Sequence, residues 1–223
     1  MSITFLRIAR EGWFLILLMA ALSFAVNYWQ GPLYAALPAL GTLYLLMFFY
    51  EPERKIPPRA LGVVSPVDGR VTEVLECTDP YLKRPARRVS IKVDHLGAYY
   101  LRSPSEGQVF ELPAEGRAKP AGYRASAIRT DEGDEVLFVV RKGLLFGVRP
   151  CSLYRYGERI GQGRRCGPRR WADRINIYVP SDSRTDIKEG DKVMAGQDVL
   201  ATLLRKRQND TDVAEDSNEK NAE

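Results

Sequence analysis

The chain has 223 residues, 45% hydrophobic and 27% charged, a balance that excludes a wholly disordered polymer and suits one globular core with appendages. Net charge is +5, but residues 205–223 carry four basic and six acidic side chains, so the first 204 hold an excess of +7, which favours an anionic partner. The single histidine, His95, excludes multi-histidine metal centres; three cysteines without a CxxC spacing exclude a disulfide framework and fit a reducing compartment.

Residues 1–12 form a short N-terminus with Arg7 and Arg10. Trp13 to Trp29 and Leu33 to Tyr50 then give two uncharged apolar runs, of seventeen and eighteen residues, separated by the turn signal Gln30-Gly31-Pro32. Each is about the length that crosses a hydrocarbon core, with aromatics near its ends. No small-residue cleavage site closes the first run, so a hairpin over 13–50 is expected rather than a cleaved signal peptide. A buried or re-entrant pair is the alternative, since Pro38 and Gly41 interrupt the second run. Arg7 and Arg10 before the hairpin, and Arg54, Lys55 and Arg59 after it, put both ends on the cytoplasmic side. The expected location is a bacterial-type inner membrane with the following domain in the cytoplasm.

Residues 51–60 read as a linker, and 61–204 as a β-rich domain. VVS, RVTEVLE, RRVSIKV, YYLRS, QVFEL, EVLFVVR, RINIYVP and KVMAGQDVLATLL are the expected strands, with Gly-containing turns between several of them. Strands at this spacing predict a compact antiparallel barrel or sandwich. The GD-x-V-x-AGQ-x-L-A wording near the end resembles lipoyl and biotinyl carriers, so the C-terminal part is expected to be lipoyl-like. Residues 205–223 are polar and read as a disordered tail.

Four segments in order, FFYEPERKIP (48–57), VVSPVDGRV (63–71), YYLRSPSEGQV (99–109) and RINIYVP followed by IKEGDKVMAGQDVLATL (187–203), resemble the short bacterial or archaeal type of phosphatidylserine decarboxylase. The resemblance covers about residues 5–204. It implies a membrane hairpin, a β-rich catalytic domain and no bound pyridoxal cofactor. It also implies self-cleavage at a Gly-Ser pair, which turns the serine into a pyruvoyl group that accepts electrons during loss of carbon dioxide from phosphatidylserine. An aspartate and a histidine assist that cleavage.

Carried over residue by residue, the family aspartate falls on Asp68, whose Asp-Gly pair is also an ordinary hairpin turn. The family histidine falls on Tyr99, a poor base at neutral pH. His95 lies four residues earlier, and in an extended strand would stand roughly 13 Å away at about 3.3 Å per residue. Counted back from RINIYVP the family serine falls on Asp173; counted from CGPR it falls on Pro168. Neither has a hydroxyl that can attack the preceding carbonyl, and Gly157 to Pro180 contains no serine. Cys166 offers the alternative: its thiol could attack the Arg165 carbonyl, and neighbouring arginines should lower its pKa.

Between Arg149 and Arg174 eight arginines face two acids, Glu158 and Asp173. Arg102, Arg164, Arg165, Arg169, Arg170 and Arg174 are the candidate contacts for lipid headgroups and other anions, with Trp171 as an interfacial aromatic. A nucleic-acid partner is not expected, because no recognisable binding motif accompanies the charge. Three readings follow. The first is a membrane-anchored phosphatidylserine-decarboxylase-like protein of phospholipid metabolism that has lost pyruvoyl self-processing and decarboxylase activity, carrying no bound cofactor. The second is an active decarboxylase processed at Cys166. The third is a non-enzymatic barrel adaptor. The expected partners are a phospholipid membrane and either a second copy of the chain or an active paralogue.

Overall fold

The computed structural model describes residues 8–57, 59–112, 123–141, 150–169 and 172–204. A 3-10 turn, Arg10–Gly12, leads into helix α1 (Trp13–Gln30); the chain turns at Gly31 and re-enters as α2 (Pro32–Phe48), with proline at the first helical position. Arg10–Gln30, 21 residues in all, is long and apolar enough to cross a membrane, whereas α2 is apolar but only 17 residues long. Two similar spans were expected; one full-length span and a shorter partner are found. The second ends early because the helix stops at Phe48, two residues short of the apolar run.

The two helices pack side by side, and the Ser23 hydroxyl donates to the Ala35 carbonyl at 3.3 Å. Within α1 only Ile16 is buried. Phe14, Trp29 and Leu33 are 75, 82 and 81% exposed, an apolar surface that water does not tolerate at this extent and that suggests membrane association.

The domain beyond contains β1 (Gly62–Val64), β2 (Gly69–Thr78), β3 (Pro85–Val93), β4 (Tyr100–Arg102), β5 (Gly107–Phe110), β6 (Tyr123–Arg129) and β7 (Glu135–Arg141). Then follow β8 (Arg159–Ile160), β9 (Arg165–Pro168), β10 (Arg174–Pro180), β11 (Arg184–Thr185), β12 (Lys192–Val193) and β13 (Val199–Thr202). An eight-stranded sheet runs in the order β12-β2-β3-β10-β7-β6-β5-β8. Beside it lie a three-stranded sheet, β1-β13-β11, and the pair β4-β9; all pairings are antiparallel.

The expected antiparallel β domain is present, but of the expected barrel or sandwich the barrel is not closed. The large sheet ends on β12 and β8, each two residues long, and these do not pair with each other. Nor is a lipoyl-like form of the C-terminal part confirmed. β12 pairs with β2, and β13 pairs with β1, so the end of the domain is stitched onto its beginning.

The large sheet is covered on both faces, which explains why EVLFVVR is continuously apolar rather than alternating. In β10, Ile175, Ile177 and Val179 face the main core with Val89, Ile91 and Phe138. On the opposite face Tyr178 joins Tyr81, Leu137, Val139 and Ala127. Register fixes this arrangement, since Ile177 stands between Val89 and Phe138 on its two neighbours. Each such aliphatic side chain contributes about 1.5–3 kcal/mol when fully buried.

Backbone bonds fasten the helix pair to the domain. Ala9 N–H donates to Phe49 O at 2.9 Å, and Tyr99 N–H donates to Tyr50 O at 3.1 Å. Ala9, Ile16, Phe48, Phe49 and Tyr99 close a small apolar core at this junction.

Candidate functional site

Asp68 ends the turn between β1 and β2. The turn is set by the Ser65 hydroxyl, which donates to Val67 O at 2.7 Å. Gly69 follows because a Cβ there would lie 2.2 Å from the Lys92 carbonyl oxygen on the paired strand. The Asp68 carboxylate therefore points at three separate segments. Its Oδ1 accepts from Ala195 N–H at 2.7 Å; its Oδ2 accepts from Ala98 N–H at 2.7 Å and from Arg54 Nη2 at 2.8 Å. The Arg54 and Asp68 side chains are only 10 and 12% exposed. Arg54 also donates to Gln197 Oε1 at 3.1 Å. One carboxylate thus clasps the post-helical linker, the 94–98 turn and the C-terminal segment.

A cavity of about 480 Å³ opens over this clasp, lined by Arg54, Asp68, Arg70, Lys92, Asp94 and Lys192 among others. The chain bends beside it. Gly97 N–H donates to Asp94 O at 3.1 Å and Leu96 N–H to Asp94 Oδ1 at 3.1 Å. Residues 95 and 99 therefore do not lie along one extended strand. His95 is exposed on the bend, and its carbonyl accepts from Arg169 Nη2 at 2.7 Å. Arg169, 2% exposed, also donates to the Asp94 carbonyl through its other terminal nitrogen and, through its backbone N–H, to Tyr99 O at 2.8 Å. Burial lowers its pKa, while Asp68 and Asp94 oppose that shift. Arg169 straps the bend in place, and most of its guanidinium is spent on carbonyls rather than displayed to a ligand.

Tyr99 is buried at the helix junction, 5.0 Å from the Phe49 ring and 6.0 Å from the Phe48 ring between centroids. Its neighbour Ala98 bonds Asp68, so the two positions carried over for the family aspartate and histidine adjoin in space.

The serine positions adjoin the same stretch: Val93, which bonds Asp173, precedes Asp94, whose N–H donates to Asp68 O at 2.9 Å, and Tyr100, opposite Pro168, follows Tyr99. Asp173, just before β10, pairs with Arg141 at 2.8 Å near the surface, and its carbonyl accepts from Val93 N–H at 3.0 Å. Pro168 stands in β9 opposite Tyr100. Cys166 is fully buried against Cys151. Burial pushes its thiol well above the ordinary 9.0, contact with Cys151 acts in the same direction, and Arg102 opposes only weakly. The expected lowering by arginine neighbours is thus reversed, because the side chains of Arg164 and Arg165 lie exposed while the sulfur is desolvated. No described residue between 157 and 180 carries a hydroxyl on its Cβ, so none can attack the preceding carbonyl and then eliminate to give a pyruvoyl group.

A second cavity, about 660 Å³, lies on the other side of Arg54 and is lined by Arg54, Lys55, Arg102, Arg164, Arg165 and Glu53 among others. Glu51, 1% exposed, anchors it from behind: its Oε1 accepts from Arg102 Nη2 at 2.9 Å and from Arg165 Nε at 3.0 Å. Of the six arginines taken from the sequence as anion contacts, Arg102, Arg164 and Arg165 come together here. Arg169 is enclosed elsewhere, Arg174 borders neither cavity, and Arg170, like Trp171, falls outside the described residues. Arg54, Lys55 and Glu51 were not among the sequence candidates. Their signal was position, in FFYEPERK immediately after the apolar hairpin.

No family model matches the chain. A Nitrosomonas europaea protein called phosphatidylserine decarboxylase proenzyme is 35% identical over 204 residues, spanning 87% of this chain and 94% of that one. Proteins of the same name from Nitrosomonas eutropha and Aromatoleum aromaticum are 34 and 32% identical, over 87 and 88% of this chain and 94 and 95% of theirs. Among solved structures, glucose permease IIA from Mycoplasma capricolum aligns over 63% of this chain and 94% of that one, at TM-score 0.38 and 19% identity. So loose a likeness defines no fold. The sequence relationship does define a family: this chain belongs to the phosphatidylserine decarboxylases.

Proposed function

We propose that this protein is a membrane-anchored member of the family, tied to phospholipid metabolism, that does not convert itself into a pyruvoyl enzyme. The carrying observation is the segment that should be cut. It contains no serine or threonine from Gly157 to Pro180, and its thiol, Cys166, is buried with a raised pKa. A buried thiol held protonated is a weak nucleophile toward the Arg165 carbonyl, so processing at Cys166 is the less favoured reading. Support for anchoring comes from the apolar helix pair and the cationic residues that flank it, which favour the cytoplasmic face of the inner membrane for the β domain.

On this reading Asp68 acts as a clasp that orders the site, and Tyr99 packs the domain onto its membrane helices. Intact mass of the purified full-length chain tests the proposal. A single species near 25.2 kDa is expected. Two fragments dividing between Gly161 and Arg174, the C-terminal one blocked at its N-terminus, overturn it.

A further inference from the structure

We propose that the cavity at the foot of the helix pair, bounded by Arg54, Lys55, Arg102, Arg164 and Arg165, is a binding site for a phosphate group. Charge is the first argument. Five cationic side chains surround the space, while three carboxylates oppose them: Glu53 in the wall, Glu51 behind Arg102 and Arg165, and Asp68 behind Arg54. The balance leaves an excess of two positive charges, which suits a phosphate ester.

The second argument is construction. Arg102 is 6% exposed and fixed by Glu51 and by the Gly163 carbonyl, to which its Nη1 donates at 3.1 Å. Arg165 is held between Glu51 and the Tyr100 ring, its guanidinium carbon 5.5 Å from the ring centre. Glu51 engages Arg165 through Nε. Its terminal nitrogens, like the side-chain nitrogens of Lys55 and Arg164, make no hydrogen bond or ion pair with a described residue. An arginine fixed through Nε with its fork remaining is suited to bidentate phosphate recognition.

The loop that carries Arg164 and Arg165 is itself pinned. Gly163 adopts φ +67°, and a Cβ there would come within 2.8 Å of Ile56 on the opposite wall. Its N–H donates to Ser103 O at 2.9 Å. The two walls therefore approach each other only because residue 163 has no side chain.

Location is the third argument. Residues 53–56 follow α2 within a few positions, so the cavity lies where a phospholipid headgroup would present its phosphate. The same chemistry fits free inorganic phosphate. The lipid source rests on the membrane-anchored reading; the phosphate site itself does not depend on whether the chain is cleaved.

The test uses the full-length chain in neutral detergent at low salt, titrated calorimetrically with inorganic phosphate and, separately, with a short-chain phosphatidylglycerol. Saturable binding of either probe to the wild type is expected. The double variant K55A/R164A removes two exposed cations and should weaken it roughly 30-fold, with unfolding temperature unchanged. The charge-matched variant R124A/R184A, at exposed positions outside the cavity, should bind as wild type. Binding of the lipid alone assigns the site to headgroups; competition by inorganic phosphate assigns it to the phosphate group as such. Absence of saturable binding by both probes overturns the inference, as does equal weakening in both double variants. Intact mass is read independently, so failure here leaves the processing result standing.

Discussion

Replacing Asp68 by asparagine keeps the shape of the clasp and removes its charge. Arg54 would then keep a nearly buried guanidinium without its carboxylate, and an amide N–H₂ would face either Ala98 N–H or Ala195 N–H, both of which now donate to Asp68. Removing one partner of a buried pair costs about 3–5 kcal/mol. The residual exposure of 10 and 12% places this pair at the low end, about 3 kcal/mol. For a chain of this size that is roughly a 6–12 °C fall in Tm. The assay is thermal unfolding in neutral detergent, followed by tryptophan fluorescence. A cycle with R54M separates the pair from its surroundings: the double variant D68N/R54M should recover more than about 1.5 kcal/mol of the summed losses. If D68N unfolds within about 1 °C of the wild type, or above it, the clasp is refuted. Asp68 would then be a strained functional group held at a cost to stability.

Other outcomes follow from the same structure. Gly69→Ala forces a Cβ to 2.2 Å from a backbone oxygen that cannot swing away, and should cost about 3 kcal/mol in denaturant unfolding; a wild-type midpoint would show that β2 and β3 can part. Native alkylation with a maleimide should label Cys77, which is partly exposed, while Cys151 and Cys166 react only after denaturation; rapid labelling of Cys166 would contradict its burial. Because the folded Cys166 thiol titrates above the free thiol, the folded state holds a proton that the unfolded state releases, so its contribution is complete below pH 9.0 and declines as pH rises further. Tm should accordingly fall less steeply above pH 9.0 in C166A than in wild type. Leu22→Arg puts a charge near the middle of α1 on a side chain 49% exposed, which costs about 2.5–3.5 kcal/mol in a bilayer; alkaline extraction of membranes should release this variant and retain the parent.

Local pattern alone determined a good deal of this protein. Uncharged runs announced the helix pair, because apolar length is a property of consecutive residues, and Gln30-Gly31-Pro32 marked the turn between them. EVLFVVR and RINIYVP gave β7 and β10 at their observed bounds, since each is an apolar stretch with clear ends. β6 was missed: YRASAIR buries small alanines and a serine, so it has no apolar signature of its own and takes its place from pairing with β5 and β7. KVMAGQDVLATLL read as one strand but divides into β12 and β13, because its two ends are claimed by β2 and β1.

The candidate site divides in the same way. Asp68, Arg102, Arg164 and Arg165 were visible as residue types, and the missing serine was visible as a fact of order. Only the tertiary structure decided that Arg54 reaches back to Asp68, that Glu51 gathers Arg102 and Arg165, and that Arg169 turns inward while Arg164 stays out. It also reversed the expected pKa shift of Cys166. Sequence records which charges are neighbours along the chain, but a pKa responds to solvent and to charges in space; the sulfur lost its water when β9 packed onto the core, whereas the guanidinium groups beside it kept theirs.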